Sequence, residues 1–229
     1  YWMGIDNFYV YAGRTQQLPC TVRQKVFGDF NRSEADKVAS GINSEFSEIF
    51  WFYPSASSSE NDKYVIYNYG EKVWYFGSLA RTAWLDRGTR ANPLAAGNQY
   101  IFNHEIGFDD DGSAMTSFIE SAAIDIGDGD KFTYIRRVIP DLTFLGSTNL
   151  SSPQAVFTVK SRRFPGASFD NTDAGTAIGS ISGEVETFTE QLHLRSRGRS
   201  FAVRVESTAL GTKWKLGSPR VDLRADGRQ

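Results

Sequence analysis

The chain has 229 residues, 40% of them hydrophobic and 14% aromatic, with 21 glycines, 7 prolines and a formal charge of −2. This composition is typical of a globular protein of one large or two small domains, and it excludes disordered, collagen-like and disulfide-rich chains. No apolar run approaches the roughly 20 residues of a membrane-spanning helix, and no signal-peptide pattern opens the chain. We therefore expect no membrane association. Because the sequence starts at Tyr1 without an initiator methionine, we expect it to be a piece of a longer protein.

Metal, cofactor and enzyme chemistry have little support in the sequence. Cys20 is the only cysteine, which excludes an internal disulfide and a cysteine-built zinc site. His104 and His193 are far apart and lack the spacing of a histidine metal motif. The chain contains no nucleophile-elbow motif and no phosphate-binding glycine loop. We expect no cofactor, no metal and no catalytic activity.

The N-terminal part predicts two short strands and one short helix. Aromatic and β-branched residues form a run from Phe8 to Gly13, and Gln16–Cys20 follows as a return segment broken by a proline. Ser33 with Asp36 three residues later resembles an N-cap pair, and weak helical spacing continues to Ile42. We expect about two turns of helix there.

An aromatic-rich antiparallel meander follows. Its strands are predicted from runs rich in strand-forming residues, at 46–53, 64–69 and 73–76, with a fourth strand at 81–84. Gly70-Glu71 predicts a two-residue hairpin turn between the second and third runs. A four-stranded meander is the unit of a β-propeller blade, and residues 99–108 would begin a second such unit. An ordinary antiparallel sheet has the same pattern, so the number of blades stays open.

A domain boundary is predicted after the acidic turn that ends at Gly112. From there the aromatic runs give way to alternating apolar and polar residues, at 118–126, 188–194, 201–205 and 221–223. Strands with one apolar and one polar face are typical of a β-sandwich. We expect an all-β fold with a meander domain at 1–112, part of a β-propeller, and a β-sandwich-like domain at 113–229. Residues 166–183 are small and polar, and they predict a long mobile loop.

Three groups of side chains are candidates for binding, and each has a structural alternative. The aspartates at 109–111 and 125–130 fit solvated turns better than cation sites, since the first group fails the EF-hand spacing. Glu105 with one of Asp109–Asp111 is the best carboxylate pair for a glycosidase. His104 lies next to Glu105 on a strand and is expected to point to the opposite face. Aromatic residues of the meander could stack on sugars, but we favour a core role for them; they are Trp51, Tyr53, Tyr67, Tyr69, Trp74 and Tyr75.

The strongest charge signal lies at the C-terminus. Residues 192–229 carry nine basic and three acidic residues, a net charge of +6, against −8 for residues 1–191. Such asymmetry indicates contact with an acidic protein surface or a polyanion. Arg195, Arg197 and Arg199 alternate along one predicted strand and would project from one face. They could pair with carboxylates of a neighbouring subunit or with DNA phosphates, or simply be solvated. The candidate contact residues are Arg195, Arg197, Arg199, Arg204, Arg220, Arg224 and Arg228.

Several stretches in order along the chain resemble the tail-tube proteins of short-tailed bacteriophages. This group comprises the nozzle, tubular tail B and packaged-DNA-stabilisation type of structural protein. The resemblance covers most of the chain. It is carried by residues 50–55, 60–69, 73–74 and 81–84, and near the end by residues 197–199, 214–217 and 220–228.

The resemblance implies a virion structural protein of the phage tail, made in the host cytoplasm. It implies a ring, a hexamer in the intact protein, with a β-propeller and a β-sandwich platform around a DNA channel, below the portal and adaptor. Such proteins retain and conduct the genome. Members are several hundred residues long, so this chain would be a C-terminal portion. The alternative function is a carbohydrate-binding or glycan-cleaving tail module, which would use the meander aromatics with Glu105 and Asp109–Asp111.

Overall fold

The computed structural model describes residues 1–125, 127–149, 154–164, 166–167, 169 and 180–227. It confirms the predicted all-β class, because antiparallel sheets dominate and helices are few. The chain forms two compact units, Tyr1–Ile106 and Gly107–Gln229, so the observed division falls slightly before the predicted boundary at residue 112. Each unit is described separately below.

The first unit is built from three small antiparallel sheets, in the orders β1-β2-β3, β4-β5-β6-β7 and β10-β9-β8. One α-helix and one 3₁₀ helix separate the first sheet from the second. The elements are β1 (Trp2–Met3), β2 (Phe8–Tyr11), β3 (Thr15–Leu18), α1 (Arg23–Asp29), the 3₁₀ helix (Arg32–Lys37), β4 (Ala39–Asn43), β5 (Glu48–Tyr53), β6 (Lys63–Asn68), β7 (Val73–Ser78), β8 (Ala83–Leu85), β9 (Leu94–Gly97) and β10 (Tyr100–Asn103).

The first three strands predicted for the meander are present as β5, β6 and β7, but the prediction of the fourth strand was wrong. The fourth strand of this sheet is β4, which precedes the other three in sequence, whereas residues 83–85 pair with β9 in a different sheet. The side chain of Trp84 instead packs on the meander from outside, with its ring centroid 4.6 Å from that of Phe50. The β6–β7 connection is also longer than predicted. The Asn68 side chain accepts hydrogen bonds from the backbone N–H groups of Gly70 and Glu71, and Lys72 takes the positive φ.

The predicted helix was only partly correct. A 3₁₀ helix covers Arg32–Lys37, with Asn31 and not Ser33 as the cap: its side chain accepts from the Ser33 N–H. Ala39 and Ile42, whose spacing contributed to the helix prediction, belong instead to β4. The unpredicted α1 buries Val26 and Phe27 against the first sheet, and this burial stabilises a seven-residue helix that has no side-chain cap.

The β4–β7 sheet is covered on both faces, which explains its density of aromatic residues. One face presents Trp51, Tyr53, Val65 and Tyr67 to the β1–β3 sheet and α1. The other face presents Phe50, Phe52 and Ile66, against which Trp84 packs. Because strand side chains alternate between faces, a sheet covered on both sides has nearly continuous apolar strands. Cys20 is a half-buried thiol beside the first core, where burial raises its pKa to about 11.

The second unit contains twelve strands in its described residues. They form a five-stranded sheet (β13-β20-β17-β18, with β14 also on β20), a three-stranded sheet (β19-β15-β22) and two short pairs. The strands are β11 (Asp109–Asp110), β12 (Ser113–Ala114), β13 (Ser117–Glu120), β14 (Ile124–Asp125), β15 (Thr133–Ile139), β16 (Leu142–Thr143), β17 (Ala155–Arg162), β18 (Ser180–Val185), β19 (Ser196–Gly198), β20 (Ser200–Ser207), β21 (Lys215–Leu216) and β22 (Arg220–Ala225).

One apolar core is shared by the two larger sheets of this unit, as in a β-sandwich. Ile135 and Val138 come from the three-stranded sheet, and Phe157, Val159 and Val205 come from the five-stranded sheet. This arrangement agrees with the sandwich-like domain predicted from the alternating pattern.

Three details of the predicted sandwich pattern were wrong. The strand expected over 118–126 is split into β13 and β14, and its apolar side chains are exposed; Ile126 lies outside the described residues. Phe188, expected on an apolar face, is 77% exposed. Residues 180–183 of the predicted loop are part of β18, while residues 170–179 lie outside the described residues.

Candidate functional site

The predicted C-terminal arginines meet on one face of the three-stranded sheet. In the centre, Tyr134 of β15 lies opposite Arg197 of β19 on one side and opposite Arg224 of β22 on the other. Directly opposed residues of antiparallel strands project to the same face, so the three side chains form a row across the sheet.

Further charged side chains extend this row along the strands. On β22, Arg220 and Asp222 share the face of Arg224 because side chains alternate. A register shift in β15 after Ile135 places Arg137 opposite Asp222, and the two form an ion pair with N and O atoms 3.3 Å apart. We call this surface the arginine face; it comprises Arg137, Arg197, Arg220 and Arg224 with Tyr134 and Asp222.

The opposite side of the same sheet is part of the core. Ile135 and Val138 are buried there, whereas all four arginines of the arginine face are exposed. The arginine face is therefore a charged, outward-facing surface on a rigid sheet. Residues that bind a partner are held most accurately on such a surface.

Phe132 supports the end of the arginine face. The guanidinium groups of Arg197 and Arg199 lie 4.0 and 4.6 Å from the centroid of its ring, a cation–π arrangement. Arg197 also forms an ion pair with Asp226. The prediction that Arg195, Arg197 and Arg199 alternate on one strand was wrong in part, because β19 covers only Ser196–Gly198. Arg199 lies in the bend that follows β19 and is partly buried, whereas Arg195 directly precedes β19 and is exposed.

Arg204 does not join the arginine face. It lies on β20, where it forms ion pairs with Glu206 at 2.7 Å and Glu120 at 3.0 Å and covers the ring of Phe118 at 4.0 Å. The hydrogen bond to Glu206, followed by that to Glu120, raises its pKa. Its charge is thus balanced within the chain, and we assign it a structural role. Arg228 lies outside the described residues.

The aspartate turn at 109–112 has a structural role. Asp109 and Asp110 form β11, and its turn to β12 uses positive φ at Asp111 and Gly112. The Asp109 carboxylate accepts a hydrogen bond of 2.6 Å from the backbone N–H of Gly211. Within the described ranges, no three His, Cys, Asp or Glu side chains converge as a metal site.

Glu105 has two carboxylate neighbours within the first unit, Glu45 and Glu48, whose charges interact with its own. Its predicted partners, Asp109–Asp111, belong to the second unit. Its Oε1 accepts a hydrogen bond of 3.2 Å from Nδ2 of Asn43. Burial and then the charge of Glu45 raise the pKa of Glu105, and burial followed by the charge of Glu105 raises that of Glu48 to about 7.

His104 and Glu105 were predicted to lie on one strand, but β10 ends at Asn103 and Glu105 has a positive φ. Nε2 of His104 accepts a hydrogen bond of 2.9 Å from Nε of Arg81, and the His104 ring lies 4.9 Å from that of Trp84. Glu48 was missed as a partner of Glu105. A carboxylate at the first position of an otherwise aromatic strand was the only signal for it in the sequence.

The meander aromatics belong mainly to the core, as favoured from the sequence. Trp51 is 2% exposed, and Tyr53 and Tyr67 are also buried. Of the six candidates Tyr75 is the most accessible, at 41% exposure, while Tyr69 and Trp74 are partly buried. A coplanar, solvent-facing set of rings for stacking on a sugar is therefore not formed by these six residues.

No family model matches the sequence, and a search of curated proteins finds no significant match. In the described part of the chain, no helix has the length and apolar character needed to cross a membrane.

Proposed function

We propose that this protein is a virion structural component of the tail tube or nozzle of a short-tailed phage. In this proposal it assembles as a ring around the DNA channel, a hexamer in the intact protein, contacts the portal-adaptor and other tail proteins, and helps to retain and conduct the genome. The proposal rests on the resemblance of the sequence to such proteins. The all-β architecture of two compact units is compatible with it.

The β4–β7 sheet is the part of the chain that supports a propeller-like first unit. Propeller blades are small antiparallel meanders that pack face to face. Here a four-stranded meander has the β1–β3 sheet and α1 packed on one face and Trp84 of β8 packed on the other. Several blades in one chain would have this packing.

The observation that carries the assembly role is the arginine face. Guanidinium groups on a rigid, exposed sheet favour planar, bidentate contacts with carboxylates. We therefore assign the arginine face to contact with a neighbouring subunit or the adaptor. Arg220 and Arg224 are exposed members of it and are suitable for testing.

The test is sedimentation velocity of the 229-residue chain at low salt over a range of concentrations. We expect wild type to associate as concentration rises, and the R220E/R224E variant to associate at least tenfold more weakly. The matched control is R14E/K72E, which makes the same charge change at exposed positions of the first unit and should behave like wild type. Monomeric wild type at every concentration would overturn the assembly proposal for this chain.

Non-specific contact with DNA is a second role for the same surface. Tyr134 between Arg197 and Arg224 offers a ring and two guanidinium groups side by side, a combination that suits phosphates and bases. DNA binding would weaken steeply with salt, and R220E/R224E would lower both the affinity and the salt dependence. Binding that does not change with salt would contradict this role.

A further inference from the structure

A buried arginine and a histidine meet beside the β10-β9-β8 sheet. Arg81 lies two residues before β8, and it is 5% exposed. Its Nε–H donates a hydrogen bond of 2.9 Å to Nε2 of His104, which directly follows β10. The guanidinium group of Arg81 also lies 4.1 Å from the centroid of the Phe102 ring in β10. Arg81 therefore connects the start of one outer strand of this sheet with the end of the other.

The same two residues belong to the contact between this sheet and the β4–β7 sheet. The ring of His104 lies 4.9 Å from that of Trp84, whose Nε1 donates a hydrogen bond of 2.9 Å to the backbone carbonyl of Ile42 in β4. The backbone carbonyl of Arg81 accepts a hydrogen bond of 3.1 Å from Nδ2 of the buried Asn61, in the β5–β6 connection. A change in the bond between Arg81 and His104 therefore acts on the packing of the two sheets.

The hydrogen bond from Arg81 requires a neutral imidazole. A guanidinium group has donors only, and it stays charged at every pH at which a protein is folded. The nitrogen of His104 that faces Arg81 must therefore have a free lone pair and carry no proton. Protonation would remove the acceptor and would place a second positive charge within hydrogen-bond distance of a buried guanidinium group.

The nearby carboxylates lose charge as the pH falls, so they become less able to stabilise a protonated His104. Burial raises the pKa of Glu105, which follows His104 in sequence, and burial raises the pKa of Glu48 to about 7. Glu45 is already paired with Arg87 at 3.0 Å. The charged groups on the segments that contact His104, and those beside Glu105, are Arg81, Asp86, Arg87, Arg90, Glu105, Glu45 and Glu48.

We propose that Arg81 and His104 form a pH-sensitive latch, which holds the β10-β9-β8 sheet on the β4–β7 sheet at neutral pH and releases it when His104 is protonated. Histidine is the side chain that ordinarily changes charge between pH 5 and 8. The closed latch disfavours the proton, whereas an opened latch exposes the imidazole to water and lets it bind one. The stability that the latch contributes is therefore fully present above about pH 6.5 and is lost as the pH falls below that value. This inference does not depend on the proposed function.

The test is hydrogen exchange of the whole chain, measured by mass spectrometry at pH 7.5 and pH 5.5 and corrected for the intrinsic rate at each pH. One pH unit below 6.5, the opened form gains about tenfold in population from protonation. We therefore expect the amides of β8, β9 and β10 in wild type to lose about tenfold in protection at pH 5.5. In H104Q the amide oxygen can accept from Arg81 but does not titrate, so this loss should be less than twofold. H193Q, which replaces an exposed histidine of the second unit, is the matched control and should respond like wild type.

A second measurement on wild type needs no substitution. In a proton NMR titration, the His104 ring should stay in its neutral form down to pH 5.5. The latch would be overturned by a His104 ring that takes up a proton near pH 6.5 while protection of β8–β10 is unchanged. It would also be overturned by the same loss of protection in H104Q as in wild type, or by a loss that H193Q abolishes. The latch lies in the first unit and the arginine face in the second, so failure of this test leaves the sedimentation result in force.

Discussion

Glu48→Gln should make the protein more stable at pH 8 but not at pH 4. Burial, followed by the charge of Glu105, raises the pKa of Glu48 from 4.5 to about 7. The folded chain therefore holds this proton more tightly than the unfolded chain does. Stability contributed by the neutral carboxyl is fully present below pH 4.5 and is lost as the pH rises towards 7. Glutamine stays neutral, so the variant avoids this loss.

The size of the effect follows from the shift in pKa. At about 1.4 kcal/mol for each pKa unit, the rise from 4.5 to about 7 corresponds to at most roughly 3.5 kcal/mol. Because Glu48 is only partly buried, solvent screening reduces the expected gain to about 1–2 kcal/mol.

The assay is urea denaturation followed by tryptophan fluorescence. The free energy of unfolding of E48Q should exceed that of wild type at pH 8 and equal it at pH 4. E71Q serves as the control and should unfold like wild type at both pH values. An E48Q variant that is no more stable than wild type at pH 8 would refute the argument that burial of a charged carboxylate destabilises the fold.

Three further substitutions test the packing and the arginine face. Gly41→Ala should cost about 1–3 kcal/mol in chemical denaturation, because a Cβ atom there would meet the Trp84 ring; an unchanged midpoint would contradict that packing. Asp62→Ala should lower the free energy of unfolding by about 2–3 kcal/mol, because the carboxylate accepts hydrogen bonds from the backbone N–H and the hydroxyl of Ser55 at 2.7 and 2.8 Å. An unchanged melting temperature in thermal unfolding would contradict these hydrogen bonds. Phe132→Leu removes the aromatic ring that contacts Arg197 and Arg199. Self-association measured by sedimentation should weaken, while the far-UV circular dichroism spectrum should stay unchanged. Unaltered association would show that Phe132 does not contribute to the interface.

The fold class was predictable because aromatic and β-branched runs were dense enough to identify strands. The central strands β5, β6 and β7 were located closely by this signal. The fourth strand was not, because β4 has the sequence Ala39-Ser40-Gly41-Ile42-Asn43, in which Ile42 is the single large apolar residue. Its glycine is needed for the close approach of Trp84, a tertiary contact that local patterns do not reveal.

The arginine face was predictable in part. Charge asymmetry identified the C-terminal arginines, and the alternation at 221–223 predicted the strand on which Arg220 and Arg224 lie. Sequence could not separate these from Arg204, whose ion pairs involve Glu120 on a distant strand. Arg137 was missed because its place in the row depends on a register shift in β15. Glu48 and Glu105 come together because the start of β5 lies close to the segment that follows β10. This is a tertiary contact that local sequence patterns do not reveal.

The most direct test of the assembly role is negative-stain electron microscopy of the purified chain, alone and mixed with candidate portal-adaptor rings. The proposed function predicts rings or decorated ring ends, which R220E/R224E should abolish and R14E/K72E should retain. Isolated, featureless particles of wild type in every mixture would contradict it.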